Sequence, residues 1–478
     1  MGRAELYEGQ GLFADPIHEY IAFTVPVFSG EQTEKDLVDS PWMQRLRYIF
    51  QLQSSRWVYP SAEHSRFQHS LGAMHLAGRF ARHLYPSFKE VVPDCPSPLF
   101  VEEVCRLAAL MHDIGHGPFG HFFDDNFLAD FGLTHEDLGQ KIIVEKLGEI
   151  IRGVRRSPSG PFENGEEIDP EHLAYLIKKD GQSPTLSPSE KGHGLSGEGY
   201  PQWLRLLKPL FNGIYTADNL DYVFRDSYMC GVAIGPVDLE RLLYYTFFTK
   251  EGLTLHKAGT GALTIFLNAR LYLYANVYYH RTTRAIDLHL REIFRPTMAI
   301  LFPQNPVEDL EAYLHLTDWS LLEEVRRWPK VKEPEKAALG EEWAKVLGRQ
   351  VKWKMAFGTT IPYFELRKGS VPLTAEEMEK RMRQSLPPEL KDLPFKVDMA
   401  SQDGRPLNPL AMGEMQIYIY DPSTGRVSKE PLSDLLERIP AREVQCRVFA
   451  LDYRYNAELS SAAEKALAAE APSTPTSV

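Results

Sequence analysis

The sequence has few cysteines, no long apolar runs and no excess of positive charge. Only four of its 478 residues are cysteines, and none of them forms a C-x-x-C pair. This pattern fits a reducing compartment and argues against a zinc ribbon or a disulfide scaffold. No apolar run reaches the ~18–20 residues that span a bilayer, and the N-terminal segment lacks the apolar stretch of a secretory signal. We therefore expect a cytoplasmic protein with no membrane partner.

The charge balance is acidic. Lys and Arg together number 53 against 65 Asp and Glu, which gives a formal net charge of −12. A groove that binds a nucleic-acid backbone needs clustered Lys and Arg, so this balance argues against nucleic acid as a partner. The acidic balance does not argue against small phosphorylated substrates. The content of 43% hydrophobic and 25% charged residues is typical of a globular protein.

Helical patterns dominate from about residue 40 to residue 300. Apolar residues recur there at the spacing of one helical face. The helices predicted in this way cover residues 42–52, 67–84, 101–111, 134–147, 261–279 and 285–301. From about residue 303, short charged helices alternate with strand-like runs at 414–421 and 443–453. We therefore predict a mostly α protein, with a helical catalytic domain over residues 1–300, a smaller α+β C-terminal lobe over 301–465 and a disordered tail over 466–478.

The segment MHDIGHGPFGH, residues 111–121, carries the main chemical signal. An apolar helix delivers His112 and Asp113 side by side at its end, and a glycine-rich turn then presents His116 and His121. Imidazole nitrogen and carboxylate oxygen are ligands of Fe, Mn, Zn, Co and Ni, and glycines let the backbone approach a phosphate closely. The alternative is a surface turn that happens to be rich in histidine. So many ligating side chains after an apolar helix favour the metal site.

Two other segments offer further ligands. EHSRFQHS supplies His64 and His69, and NGIYTADNLDYVFRD supplies Asp218, Asp221 and Asp226. In the second segment, Asp218, Asp221 or Tyr222, and Arg225 recur at helical spacing and so fall on one helical face. Each segment alone is weak, since a lone Asp near a Tyr is more often an ordinary surface charge. The order His…His-Asp…Asp along the chain is what favours a shared metal site.

The wording and order of these motifs resemble the HD-domain deoxynucleoside triphosphate triphosphohydrolases. The resemblance rests on RLRYIFQL, HSRFQHSLG, MHDIGHGPFGHFFD, THE and DNLDYVFRD, with DPIHEYI near the start and RVFALDY more loosely near residue 450. It covers nearly the whole chain and is most specific from residue 40 to 230. It implies a helical HD-type phosphohydrolase domain, one first-row transition metal, and Mg²⁺ accompanying the substrate.

The resemblance also implies roles for the matching residues. Those matching the metal ligands are His69, His112, Asp113 and Asp218. His121 matches a general acid, His116 and His135 match the flanking histidines, and Asp124 matches the acid that orients a histidine. The residues matching substrate contacts are Arg66 for phosphate, Gln51 and Asp226 for the 3′-hydroxyl, Leu52 and Tyr222 for the walls of the sugar pocket, and His280 and Arg284 beyond them.

Two departures from the family concern the phosphates. Asn219 and Asn276 stand where the family has a Lys and an Arg. Charge-assisted contacts typically contribute ~1.5–3 kcal/mol each, so their loss should weaken a triphosphate contact. Arg281 and Arg284 are expected to compensate from the same helix.

A regulatory resemblance is partial. Asp39, Gln44 and Arg47 match positions that help to bind an activating guanine nucleotide, although a helix cap and surface charges explain them equally well. The resemblance further implies a homo-oligomer, either a dimer or a tetramer.

We predict hydrolysis of deoxynucleoside triphosphates to deoxynucleoside and triphosphate. The first alternative is a nucleotide phosphatase or pyrophosphohydrolase that releases phosphates stepwise. The second, of another class, is a nucleotide- or single-stranded nucleic-acid-binding protein with a vestigial site.

Overall fold

The computed structural model describes residues 7–179, 199–363, 373–402, 418–428 and 442–468. Helices make up most of this part of the chain, with several small sheets beside them, so the predicted mostly α fold with a minor α+β component is confirmed. No helix of the described residues is both long and apolar enough to cross a membrane.

The chain begins with an antiparallel hairpin of two strands, β1 (Gln10–Asp15) and β2 (Glu19–Thr24). At the turn, the Asp15 carboxylate accepts hydrogen bonds from the backbone N–H groups of Ile17 and His18. This local capping presents the DPIH sequence inward, where it meets the helices that carry the candidate site.

The helices between the hairpin and residue 244 surround that site. In chain order they are α1 (Glu34–Val38), α2 (Pro41–Arg45), α3 (Arg66–Val91), α4 (Pro98–Met111), α5 (His121–Asn126), α6 (His135–Lys146), α7 (Gly148–Gly153), α8 (Pro170–Ile177), α9 (Gln202–Leu207), α10 (Pro209–Asn212), α11 (Ala217–Cys230) and α12 (Leu239–Tyr244).

Three of these helices, α3, α4 and α11, begin at clear capping residues. Ser65 and Gln68 form a capping box at α3, Ser97 precedes Pro98 in α4, and the Thr216 hydroxyl accepts from the third backbone N–H of α11. Helix α4 is buried almost all round, and α3 packs along both α4 and α11. The three helix ends that carry the predicted ligands are therefore held against one core.

The second half of the chain adds further helices, a four-stranded sheet and a three-stranded antiparallel sheet. The helices are α13 (Thr260–Leu273), α14 (Arg281–Leu301), α15 (Leu310–Leu314), α16 (Asp318–Arg327), α17 (Pro334–Leu347), α18 (Ala375–Ser385) and α19 (Asn456–Ala468). The first half also holds the short hairpin of β3 (Arg156–Ser157) and β4 (Gly160–Pro161). The strands of the second half are β5 (Thr246–Thr249), β6 (Gly252–His256), β7 (Lys354–Tyr363), β8 (Phe395–Gln402), β9 (Tyr418–Asp421), β10 (Arg426–Ser428) and β11 (Arg442–Ala450). The four-stranded sheet has the order β10–β9–β6–β5, and the three-stranded sheet has the order β7–β11–β8.

Two large hydrophobic cores and a small cluster around Trp353 and Phe449 organise the described elements. A smaller core lies between the antiparallel sheet β7–β11–β8 and helices α18 and α19. The main core continues past residue 300, since Tyr313, Trp328 and Trp343 are completely buried in it. The division of the chain near residue 300 stays a prediction. Of the predicted tail, residues 466–468 complete α19, and residues 469–478 lie outside the described residues.

Two predicted helices are shorter in the structure than their apolar spacing suggests. The helix predicted over residues 42–52 ends at Arg45, and one tight turn later the backbone becomes extended at Ile49. Backbone hydrogen bonds of residues 49–51 with residues 64–66 replace the helical ones. The helix predicted over residues 261–279 ends at Leu273 and continues as a π-turn, Tyr274–Tyr278. Both irregular segments line the same cavity, which is where such breaks are common.

Candidate metal centre and active-site cavity

Three side chains from three helices converge on one point. His69 lies in the first turn of α3, His112 caps the end of α4, and Asp218 lies in the first turn of α11. The His69 Nε2 atom is 3.2 Å from His112 Nε2 and 3.1 Å from Asp218 Oδ1, and the last two atoms are 3.7 Å apart. Ligands bound at ~2.1 Å to one metal ion lie ~3.0–3.4 Å apart, so this spacing fits a metal site.

The tautomers of the two histidines support the same conclusion. His69 donates its Nδ1 proton to Asp221 Oδ2 at 2.8 Å, and His112 donates its Nδ1 proton to the Ala109 carbonyl at 2.7 Å. In the neutral rings, both Nε2 atoms then carry lone pairs and face each other. A cation bound between them would be coordinated by both lone pairs. A metal-ligating histidine characteristically donates a hydrogen bond from its other ring nitrogen, as both histidines do here.

Electrostatics at this cluster favour a bound cation. Burial alone would lower the pKa of His69, but Asp218 and Asp221 outweigh it and raise the pKa to about 10. A site that holds a proton so strongly also attracts a metal ion, and metal binding there would release that proton. The donor set of imidazole and carboxylate suits a first-row transition ion.

Asp113 lies at the edge of the cluster and links it to Arg66. Its Oδ1 atom is 3.3 Å from His112 Nε2, and its Oδ2 atom accepts a hydrogen bond from Arg66 at 2.5 Å. Burial would raise the pKa of Asp113, but His112 and Arg66 hold it well below its usual range. The carboxylate is therefore ionised, as a metal ligand must be. The structure thus brings together all four predicted metal ligands.

A buried network behind the metal cluster fixes its orientation. The Asp221 carboxylate accepts from His69 on one oxygen and from His18 at 2.7 Å on the other, and Arg225 donates to both oxygens. Arg225 also donates to Asp15 at 2.8 Å, which ties the N-terminal hairpin to the centre. This network is the structural reason for the DPIH sequence near the start of the chain.

A second cluster of histidines stands beside the first. Asp124 Oδ2 accepts from His135 at 2.7 Å and lies 3.2 Å from His121 Nδ1. The His135 ring stacks on His116 with centroids 3.6 Å apart, and His116 Nε2 lies 3.4 Å from Asp113 Oδ1. The four predicted catalytic residues therefore form one group that touches the candidate metal centre.

The environments of these histidines differ. Burial and the Arg66 guanidinium hold the pKa of His116 well below its usual value. Burial would also lower the pKa of His135, but Glu136 and Asp124 outweigh it and raise that pKa. His121 has a side chain that is 61% exposed, so its ring can meet a substrate.

The loop between the two clusters is held by one aspartate from far along the chain. The Asp318 carboxylate accepts hydrogen bonds from the backbone N–H groups of Phe119 and Phe50, each at 3.0 Å. Burial raises the pKa of Asp318 to about 6, although both hydrogen bonds oppose the rise. Phe119 has a φ of +63°, and Gly120 follows with a φ of +53°. A Cβ atom on Gly120 would lie 2.4 Å from the Arg66 guanidinium, so a side chain at this position would collide with that arginine.

A cavity of about 550 Å³ opens beside both clusters. Most of the predicted substrate residues line it, together with some of the metal and catalytic residues: Gln51, Leu52, Arg66, His69, Asp113, His121, Asp218, Tyr222, Asp226 and Arg284. Its volume is that of a small-molecule site.

Several predicted substrate residues already have partners in the protein. Asp226 accepts from His64 at 2.8 Å and from the Tyr278 hydroxyl at 2.6 Å. Arg284 donates to both oxygens of Asp398, which joins α14 to β8. His280 is not among the residues lining the cavity and instead caps α14 through the backbone N–H of residue 282. The substrate roles of all three stay predictions.

The predicted regulatory residues lie on α1, α2 and the turn that follows. Asp39 pairs with Lys35, Gln44 donates to the Val38 carbonyl, and Arg47 donates to Gln44 at 2.8 Å. These contacts are those of a helix surface, and none of the three residues lines the cavity described above. Their role in binding a nucleotide stays a prediction.

Sequence reasoning missed functional candidates that only tertiary structure brings in. His18, Asp318, Lys179 and Arg270 were not singled out. The first two contact the network and the loop described above, and the last two line the cavity. Only His18 had a usable signal, because it lies within the DPIH motif.

Comparisons with known proteins agree with this arrangement. The family model described as "HD domain" matches residues 66–177, which run from the start of α3 to the end of α8. An uncharacterized protein of Bacillus subtilis, YwfO, is 28% identical over 373 residues, covering 74% of this chain and 75% of that protein.

A second relative has a named activity. The deoxynucleoside triphosphate triphosphohydrolase SAMHD1 of Gallus gallus is 29% identical over 458 residues, which cover 89% of this chain and 69% of that protein. Among solved structures, a hypothetical protein of Aquifex aeolicus superposes with a TM-score of 0.65 at 25% identity, covering 96% of this chain and all of that one.

Proposed function

Because this chain is an HD-domain phosphohydrolase, a metal-dependent enzyme that acts on nucleotides, we propose that it hydrolyses deoxynucleoside triphosphates to deoxynucleoside and inorganic triphosphate. One observation carries the proposal. A single cavity is lined both by His69 and Asp218, two of the proposed metal ligands, and by Gln51, Leu52 and Asp226. A triphosphate ester can therefore meet a metal centre while its sugar meets groups suited to a hydroxyl.

The proposed metal ligands are His69, His112, Asp113 and Asp218. A divalent metal held there would supply Lewis-acid stabilisation of a phosphoryl oxygen and a nucleophile from water at neutral pH. We infer that Mg²⁺ accompanies the substrate, since a polyphosphate prefers such a hard cation. Arg66, which Asp113 holds in place, would neutralise charge on a phosphate oxygen.

The proposed reaction consumes one water and breaks the bond between the α-phosphorus and the 5′ oxygen. The leaving 5′ oxygen needs a proton, and His121 is suited to give it. Its Nδ1 lies 3.2 Å from the Asp124 carboxylate, which orients the ring and leaves Nε2 free to act as an acid. His116 and His135 would support this group through the same aspartate.

The proposed sugar pocket consists of Gln51, Leu52, Tyr222 and Asp226. Asp226 retains acceptor capacity beside its bonds to His64 and Tyr278, because each carboxylate oxygen has two lone pairs. Leu52 is buried, lines the same cavity and supplies an apolar surface that would disfavour a 2′-hydroxyl. We propose this pair as the source of a preference for deoxyribose.

Stepwise release of phosphates is the second candidate function. Asn219 lines the cavity as a neutral side chain, and Asn276 is exposed and donates to the Tyr272 carbonyl. Neither position offers a charge to hold a long phosphate tail. An enzyme with a weakly held tail could instead remove terminal phosphates one or two at a time.

Product analysis tests both candidates. The protein, with Mn²⁺ or Mg²⁺, would be incubated with each of the four deoxynucleoside triphosphates, and His112→Ala serves as the matched inactive control. We expect deoxynucleoside and intact triphosphate in equal amounts. Orthophosphate or pyrophosphate without triphosphate would establish the stepwise reaction instead. A protein that forms no product but binds single-stranded DNA in a salt-sensitive way, with binding unchanged in His112→Ala, would be a nucleic-acid-binding protein.

The same assay tests regulation. We propose an activating guanine nucleotide at Asp39, Gln44 and Arg47 and assembly into a homo-oligomer. Addition of GTP or dGTP should then raise the rate and shift the elution volume in size-exclusion chromatography, and Arg47→Ala should reduce both effects. Equal rates and volumes with and without these nucleotides would contradict the regulatory proposal.

A further inference from the structure

The cavity needs positive charge to bind a phosphate chain, and the expected sources do not supply enough of it. Residues 219 and 276 are neutral asparagines. Arg281 is exposed and is not among the residues lining the cavity, and the Arg284 guanidinium is already paired with both oxygens of Asp398. Arg66 supplies one charge, part of which Asp113 already compensates. A triphosphate carries several negative charges, so other cations must face it.

Arg270, on helix α13, is one such cation. It lines the cavity, donates its Nε proton to the Tyr222 hydroxyl at 3.0 Å and lies over the Tyr274 ring at 5.8 Å. Within the part of the chain that the structure describes, no carboxylate forms an ion pair with it, and its Nη1 has no hydrogen-bond partner. A largely buried guanidinium whose partners are two tyrosines is poorly compensated and would gain from binding an anion.

Lys179, just after helix α8, is the second cation. Its side chain is 33% exposed and lines the same cavity, with Nζ 3.9 Å from Asp218 Oδ2. Lys179 therefore lies beside a residue of the metal cluster and faces the cavity. Tyr274 lies near both Lys179 and Arg270. A flexible ammonium group in this place can contact an oxygen of a phosphate bound at the metal.

We propose that Lys179 and Arg270 bind the polyphosphate part of the substrate, and so take the place of the cations that this chain lacks at positions 219 and 276. The ligand class is a linear polyphosphate, either esterified to a nucleoside or released as inorganic triphosphate. The identity of the esterified substrate rests on the proposed function, but the affinity for a polyphosphate does not. Tyr222 and Tyr274 position the Arg270 guanidinium, and Tyr222 also belongs to the proposed sugar pocket.

Binding of inorganic triphosphate to the metal-loaded protein tests the proposal without any turnover. Lys179→Gln and Arg270→Gln should each weaken it about tenfold or more by isothermal titration calorimetry, as expected for loss of one charge-assisted contact. Lys179→Arg should retain most of the affinity because it keeps the charge. In steady-state assays, KM for the substrate should rise more than kcat falls.

Two matched variants control for the change in charge. Lys178→Gln makes the same substitution one residue earlier, where Nζ pairs with Asp137 instead of lining the cavity. Arg241→Gln removes an arginine that also lies over a tyrosine, Tyr245, away from the cavity. Both should bind triphosphate as the wild type does. Metal content and melting temperature, measured for every variant, identify loss of the metal or of the fold.

The outcomes separate this inference from the proposed function. Unchanged triphosphate affinity in both Gln variants would overturn the inference, and so would a loss of affinity that follows loss of metal. If the protein binds triphosphate in a Lys179- and Arg270-dependent manner but releases no deoxynucleoside, the inference stands and the proposed reaction fails. If deoxynucleoside is released at wild-type KM by both variants, the reaction stands and the inference fails.

Discussion

At the scale of single residues, the candidate metal site depends on side chains that are not themselves proposed as ligands. Asp221 is completely buried, and its two oxygens meet His69, His18 and Arg225. It fixes the His69 ring so that Nε2 faces His112 and Asp218. A carboxylate behind a ligating histidine both orients the ring and strengthens it as a ligand.

Asp221→Asn should therefore weaken metal binding while leaving the ligands in place. We expect metal affinity to fall ~10–100-fold, the range typical for loss of such a partner. Metal competition with a chromogenic chelator measures the change. Asp226→Asn is the matched control on the same helix, because Asp226 binds His64 and Tyr278 instead of a metal ligand. Equal metal affinity in both variants would contradict the orienting role of Asp221.

A second residue-scale prediction concerns Glu103, buried in α4 away from the site. Both of its oxygens lack a hydrogen-bond partner among the described residues, and Arg106 is 3.7 Å away. Burial, with Glu34 nearby, raises the pKa of Glu103 well above its usual value. The stability that it contributes is therefore fully present below the unfolded-state pKa and is lost as the pH rises through the folded-state pKa.

Glu103→Gln keeps the shape of the neutral acid and removes this pH dependence. From about pH 4 upward, the free energy of unfolding of the variant should gain on that of the wild type by up to ~1.4 kcal/mol per pH unit. Urea unfolding at a series of pH values measures both proteins. Parallel stability profiles across that range would show that Glu103 is ionised in the folded protein.

At the scale of elements, the starts of helices were predictable and their interruptions were not. The cap at Thr134 and the apolar spacing of α4 are local signals, and the structure has helices there. The break after Arg45 has another cause, since extended pairing with residues 64–66 and a hydrogen bond from Phe50 to Asp318 replace helical bonds. Partners so distant in sequence leave no periodic signal near the break.

Close contact between two elements makes one glycine necessary. Gly72 lies on α3 where α11 crosses it, and a Cβ atom there would be 1.9 Å from Asp221 Oδ1 and 2.4 Å from Arg225 Nη2. Alanine is the better helix former, by ~1 kcal/mol in a helix interior. The overlap is much more costly, because neither buried side chain has room to move.

Gly72→Ala should therefore lower the free energy of unfolding by ~1–3 kcal/mol, the usual cost of overpacking, and should weaken metal binding through Asp221. Thermal unfolding and metal content measure the two effects. Gly261→Ala is the matched control, since no atom lies within 4 Å of its added Cβ in α13, and it should be neutral or slightly stabilising. A stable, metal-loaded Gly72→Ala protein would contradict the close packing of α3 and α11.

At the scale of the whole molecule, the order of the motifs at the candidate metal site was visible in the sequence because the proposed ligands lie on helices with strong local patterns. The cavity was only partly visible. Gln51 and Tyr222 follow from a resemblance, but Lys179 and Arg270 enter through tertiary packing. The same limit applies to the joint between α14 and β8, since Arg284 and Asp398 are 114 positions apart in the chain.

The extent of the catalytic unit is the last property that tertiary packing decides. The change in helix and strand patterns predicts a division near residue 300, yet Trp328 and Trp343 are completely buried in the same core as α3 and α4. Asp318 also holds the loop that carries Phe119. A core that lost such large side chains would be left with cavities, and loss of each Trp alone typically costs ~3–5 kcal/mol.

We therefore expect a chain ending at residue 301 to fail to fold, because natural domains are stable by only ~5–15 kcal/mol in total. A chain ending at residue 350 keeps helices α15–α17 and the main core, and it should unfold cooperatively and bind metal. Near-ultraviolet circular dichroism, urea unfolding and metal analysis compare the two with the full chain. A cooperative, metal-binding protein that ends at residue 301 would show that the helices after it only cover a core complete without them.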